Sequence, residues 1–121
     1  MRRCLVVDDS RAMRKVARRI LEDMRFAIEE AGDGAEALKA CRRSMPEAIL
    51  LDWVMPVMSG IDFLYRLRAE PGGDKPRVVF CTRENNIERI ADALNAGADE
   101  YIMKPFDGDV LHSKFAVAGL L

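Results

Sequence analysis

The sequence predicts an α/β fold, a doubly wound sheet of five parallel strands with helices on both faces. Three observations predict it. Short continuous apolar runs, which strands buried on both faces require, recur along the chain. Between them lie stretches whose apolar residues repeat at helical spacing. The alternation runs from Cys4 to Val117 without internal repeat, low-complexity tract or linker, and such alternation implies right-handed crossovers between parallel strands.

Each element has its own signal. Cys4-Leu5-Val6-Val7 is the first strand. Met13, Val16, Ala17, Ile20, Leu21 and Met24 then form one face of an amphipathic helix. Phe26 to Glu30 is more polar and reads as an edge strand. Asp33 is placed to cap the next helix with Glu36 as its capping-box partner, and that helix buries Ala37, Leu38 and Cys41 before Pro46 ends the region. Ala48-Ile49-Leu50-Leu51 is the third strand; a turn through Met55-Pro56 and Gly60 leads to a helix carrying Ile61, Leu64 and Leu67 or Arg68. Pro71-Gly72-Gly73-Asp74 breaks that helix. Val78-Val79-Phe80-Cys81 is the fourth strand; Ile87, Ile90, Ala91 and Leu94 mark the inner face of the next helix, which Gly97 caps. Tyr101-Ile102-Met103 and a helix from about Asp107 to Val117 complete the set.

Composition narrows the function. At 121 residues, half of them apolar, the chain makes one domain spanning 1–121, expected to carry no output domain. A chain of this size buries roughly two-thirds of its unfolded surface and needs no disulfide or structural metal. Nineteen Lys and Arg against twenty Asp and Glu give a net charge of −1, which supplies no bulk attraction to nucleic acid. The longest apolar runs are far too short to cross a membrane, and the N-terminal run is stopped by Asp8-Asp9, so neither membrane insertion nor a signal peptide is expected. Cys4, Cys41 and Cys81 form no CxxC pair and read as small buried hydrophobes of a cytoplasmic protein.

Chemistry collects at the strand ends. The first strand stops at Asp8-Asp9, the third at Asp52, the fourth at Thr82 and the fifth at Lys104. In an open α/β sheet, ligands bind beyond the carboxyl ends of the strands, so the topology brings these distant residues to one rim. Taken singly, an Asp pair or a Thr after a strand is more often a cap, and Lys104 a solvated loop residue. Their joint occurrence at four strand ends points to a site. Three carboxylates and one ammonium leave −2, and crowded carboxylates hold their protons unless a cation joins them. A hard ion with oxygen ligands fits, and Mg²⁺ is usual where carboxylates and phosphate share the ion.

These residues resemble the receiver domain of two-component response regulators, the CheY-like family, over essentially the whole chain. The motifs are Val6-Val7-Asp8-Asp9-Ser10, Leu51-Asp52-Trp53-Val54-Met55-Pro56 with Gly60, Thr82, Lys104-Pro105-Phe106, and Ala96-Gly97-Ala98-Asp99. The resemblance implies a flavodoxin-like sheet of order 2-1-3-4-5. It implies that Asp52 accepts a phosphoryl group from a histidine kinase or histidine phosphotransfer domain. Asp9, Asp52 and the Val54 backbone carbonyl would hold Mg²⁺, with Asp8 acting largely through water. Lys104 and Thr82 would contact the phosphoryl oxygens, Tyr101 would rotate inward as Thr82 moves, and Lys104-Pro105 would be a cis peptide. Output would come from a monomer binding a downstream protein, such as a flagellar motor switch or a kinase, through the fourth helix, fifth strand and fifth helix. Chemotaxis is the pathway expected first, and a developmental or stress phosphorelay is the runner-up.

Two positions depart from the family pattern. Arg83 follows Thr82 where a small residue is usual, and Val54 stands where some relatives have a polar side chain; Glu84 is the polar group expected on the opposite rim. Phosphorylation is therefore expected with an altered lifetime. The basic row Arg14, Lys15, Arg18 and Arg19 reads as a solvated face or as a docking surface for an acidic partner. Trp53 reads as a half-buried rim residue; Met55, Met58 and Met103 read as adaptable packing. A Mg²⁺-dependent aspartyl phosphatase needs a general acid, commonly two residues after the nucleophile, and Val54 cannot serve. A flavin or nucleotide carrier needs a Gly, Ser and Thr-rich first loop, and Asp8-Asp9-Ser10 repels phosphate unless a metal intervenes.

Overall fold

The computed structural model describes residues 1–83 and 87–121. Five strands, β1 (Arg2–Val7), β2 (Phe26–Ala31), β3 (Ala48–Asp52), β4 (Arg77–Thr82) and β5 (Glu100–Met103), pair in parallel in the order β2-β1-β3-β4-β5. They alternate with α1 (Arg11–Asp23), α2 (Gly34–Arg43), α3 (Gly60–Ala69), α4 (Ile87–Asn95) and α5 (Gly108–Val117). This is the flavodoxin-like arrangement. As expected, the polar second strand lies at the sheet edge, with only its end residues Phe26 and Ala31 buried.

Alternate residues of the central strands feed two cores. Leu5, Val7, Ile49, Leu51, Val78 and Phe80 face α2 and α3, where Phe63, Leu64 and Leu67 meet them. Val6, Leu50, Val79, Cys81 and Ile102 face α1 and α5, packing on Leu21, Leu111 and Phe115. Both faces of the sheet being covered explains the unbroken apolar runs. All three cysteines are buried and unbridged, and burial pushes the Cys4 and Cys41 thiols up to about 12.

The helix ends follow their signals. Asp33 accepts from the Glu36 N–H at 2.8 Å, and Ser10, Ser59 and Asp107 cap α1, α3 and α5 in the same way. Gly97 has φ +112°; its N–H donates to Leu94 O, and that of Ala98 to Ala93 O, the paired bonds of a Schellman stop.

The expected inner face of α4 is corrected. Ile87 is 79% exposed and Leu94 43% exposed, and Ala91 is exposed too; the buried residue of this helix is Ala93. A periodic stripe defines a face but not the side on which solvent lies. Here α4 lies on the sheet through a small residue, with Ile87 and Leu94 turned out and Ile90 half-buried. Val16 of α1, 49% exposed, likewise falls outside the core, while Ala17 and Leu21 carry the contact.

Candidate functional site

The residues expected at one rim are brought to one rim. Asp8 and Asp9 follow β1, Asp52 and Thr82 are the last residues of β3 and β4, and Lys104 follows β5. Side-by-side pairing of β1, β3, β4 and β5 puts these ends next to one another. Carboxylate oxygens of Asp8, Asp9 and Asp52 lie within 4.8 Å of one another. With Thr82, Trp53, Val54, Arg83 and Arg89 they line an open pocket of about 340 Å³.

Local bonds shape that pocket. Asp8 is buried; its N–H donates to Ala31 O at 3.1 Å, and its Oδ1 accepts from the Ser10 N–H at 2.9 Å. The carbonyl of Asp8 accepts from Arg14 Nη1 at 2.7 Å, while Arg14 Nε is held by Glu30 at 3.0 Å. Gly60 closes the loop after β3, donating to Trp53 O, and a Cβ there would stand 2.1 Å from the Asp52 carbonyl oxygen. Only glycine fits so close an approach. The Lys104–Pro105 peptide is cis.

The charges are unevenly matched. Lys104 Nζ donates to Asp8 Oδ2 at 2.6 Å and to Asp52 Oδ1 at 3.0 Å, with all three side chains nearly buried. Burial pushes the Asp52 carboxyl above its ordinary range and the nearby Asp8 charge adds to this; the Lys104 bond opposes both and does not cancel them. Burial alone would lower Lys104, but its bonds to the two carboxylates outweigh it and hold the ammonium above its ordinary value. The asymmetry follows from one cation shared between two acids, the shorter bond going to Asp8. The donor set is three hard carboxylates with excess negative charge, and it fits a Mg²⁺ ion.

The remaining expected residues sit around this centre. Thr82 is buried, and its carbonyl accepts from the Lys104 N–H at 2.8 Å. Val54 is 70% exposed on the pocket wall, so its side chain offers nothing polar to the site. Tyr101 is half-buried beneath Lys114, whose Nζ lies 4.1 Å from the ring centre. Trp53 packs edge-on against Phe80 at 4.7 Å, as a half-buried rim residue should. Arg83 is exposed at the pocket mouth; Glu84 lies outside the described residues.

Two contributors had no sequence signal. Arg89 of α4 lies 5.4 Å from the Trp53 ring centre and lines the pocket, yet in the sequence it is one charge among several on that helix. Arg14 belongs to the basic row of α1 but turns out to clamp the acidic loop. Arg14 and Arg18 are both paired with Glu30, which neutralises part of that row; Lys15 and Arg19 remain exposed.

Comparison with known proteins points the same way. Residues 4–116 match the family model of the response regulator receiver domain. Response regulator MprA of Mycobacterium leprae (strain TN) is 43% identical over 104 residues, which cover 86% of this chain and 45% of MprA. The chain thus spans less than half the length of this relative. Chemotaxis protein CheY4 of Vibrio cholerae superposes with a TM-score of 0.91 at 29% identity, covering 100% of this chain and 99% of that one. A CheY-like receiver domain from Methanospirillum hungatei JF-1 gives 0.85 at 31% identity, covering 96% and 91%.

Proposed function

The chain belongs to the response regulator receiver family, and from that premise we propose that it is a phosphoacceptor switch whose acceptor is Asp52. The observation that carries this reading is the buried triangle of Asp8, Asp52 and Lys104 beside the carboxylate of Asp9. The carboxylate of Asp52 attacks the phosphorus of a phosphohistidine on a kinase or phosphotransfer domain, and the imidazole leaves as the bond forms. Asp9, Asp52 and the Val54 carbonyl would hold Mg²⁺, with Asp8 in support, and the ion would supply neutralisation of the equatorial oxygens. Lys104 exchanges its bond to Asp52 for one to the phosphoryl group, and Thr82 donates its hydroxyl to another oxygen. Phosphorylation adds about one negative charge at Asp52. The new contacts to Thr82 and Lys104 favour one conformation, which is the only way a ligand shifts such an equilibrium. Tyr101, on the strand beside Thr82, reports the change to the outer face.

Output passes to a downstream protein through α4, β5 and α5. The apolar side chains of Ile87, Leu94, Val110 and Val117, exposed on the two helices, support this surface. The whole-chain likeness to the Vibrio chemotaxis protein favours a chemotaxis target such as a motor switch or kinase. The higher identity to MprA favours a relay of another kind. Labelling by a panel of phosphorylated histidine kinases tests the acceptor: wild type takes the label in Mg²⁺, and a folded Asp52→Asn variant takes none. Equal labelling of the two would place the acceptor elsewhere.

A further inference from the structure

One guanidinium joins the loop after β1 to the edge strand. Arg14 of α1 donates from Nη1 to the Asp8 carbonyl at 2.7 Å and from Nε to Glu30 Oε1 at 3.0 Å. Its side chain is 17% exposed, and Glu30, near the end of β2, is itself held by Arg18 at 2.7 Å. The accepting carbonyl belongs to the Asp8–Asp9 peptide, which is a rigid plane. Holding its oxygen fixes the direction in which the chain leaves for Asp9. The other ties of this loop reach the neighbours of Asp9. The Asp8 N–H donates to Ala31 O, Asp8 Oδ1 accepts from the Ser10 N–H, and the Ser10 hydroxyl caps α1. Asp9 is exposed, and among the described residues no side chain bonds its carboxylate, so the backbone beneath sets its place in the acidic cluster.

The inference rests on Asp8, Asp9 and Asp52 being the Mg²⁺ site. We propose that Arg14 is a positioning residue for that site: its guanidinium, oriented by Glu30, sets the Asp8–Asp9 peptide and so places the Asp9 carboxylate for the ion. The planar fork suits this task. Two nitrogens in fixed geometry hold a carboxylate and a carbonyl at once, whereas a lysine ammonium is a point charge on a flexible stem. As a bare charge Arg14 would act with the opposite sign. A cation near a divalent ion repels it, so removing the charge alone would tighten Mg²⁺ binding. Removing a tether frees Asp9 instead, and ordering it again when the ion binds costs affinity. Groups that orient a metal ligand without touching the ion commonly carry about tenfold or more of its affinity.

Calorimetric titration of the whole chain with MgCl₂, well below the melting temperature, reads the affinity without the overall stability entering it. Circular dichroism checks that each variant is folded. Arg14→Met keeps the apolar stem and should bind Mg²⁺ about tenfold more weakly than wild type. Arg14→Lys keeps the charge but not the fork, and should bind severalfold more weakly. Glu30→Ala should weaken binding severalfold while Arg14 is present and by nothing further once Arg14 is Met. Wild-type or tighter binding by Arg14→Met overturns the positioning role. If that variant does not fold, wild-type affinity in Arg14→Lys overturns it. Equal losses from Glu30→Ala in both backgrounds would make Glu30 a charge acting at a distance and overturn its orienting role. Wild type that takes up no Mg²⁺ would overturn the metal site and this inference with it.

Discussion

Lys104 Nζ lies 3.0 Å from Asp52 Oδ1 across 52 residues of chain. The same ammonium is closer to Asp8, so the acceptor carboxylate is only partly compensated, and burial keeps its pKa raised. A carboxyl whose folded pKa exceeds its unfolded one contributes stability at pH values below the unfolded pKa. That contribution is lost as pH rises through the folded value.

Asp52→Asn should therefore melt higher than wild type at pH 7 without divalent ions, by about 1 kcal/mol or roughly 3–6 °C. The difference should shrink on acidification as wild-type Asp52 takes up its proton. Thermal melts followed by circular dichroism across the acid range check this, and a gap independent of pH would contradict the electrostatic explanation.

Mg²⁺ should quench or shift Trp53 fluorescence, because the indole adjoins Asp52 and lines the same pocket. Asp9→Ala, which removes one of the three clustered carboxylates, should abolish the response. Superimposable titrations of wild type and variant would remove Asp9 from the ion's ligand set.

Arg83 is exposed at the pocket mouth one residue beyond Thr82. A guanidinium there is placed to contact phosphoryl oxygens and slow the approach of water, and about 1.4 kcal/mol of added barrier is tenfold in rate. Arg83→Ala should shorten the phosphorylated half-life severalfold and speed labelling by small phosphodonors. Unchanged rates would make Arg83 an ordinary surface residue.

The fold was legible because its central strands, β1, β3 and β4, are buried on both faces and read as unbroken apolar runs, and they and β5 lead into polar residues that the parallel topology sends to one rim. Asp8, Asp9, Asp52, Thr82 and Lys104 could be assembled on that ground alone. Helix faces were harder to read. The stripe of Ile87, Ala91 and Leu94 has the correct period, but Ala93 is the side chain that meets the core. Side-chain pairings left no trace in the sequence, whether six residues apart, as with Arg14 on the Asp8 carbonyl, or across the fold, as with Arg89 over Trp53. Nor did the positive φ of Val57, since Pro56-Val57-Met58 contains none of the residues that ordinarily mark a left-handed position.

The identity of the acceptor is tested most directly by locating the phosphoryl group itself. Wild-type protein is labelled with phosphoramidate and Mg²⁺, its acyl phosphate is reduced with borohydride, and the peptides are mapped by mass spectrometry. The account predicts a single modified position, Asp52 converted to homoserine, with the conversion absent when Mg²⁺ is withheld. Conversion at Asp8 or Asp9, or labelling that survives in Asp52→Asn, would contradict it.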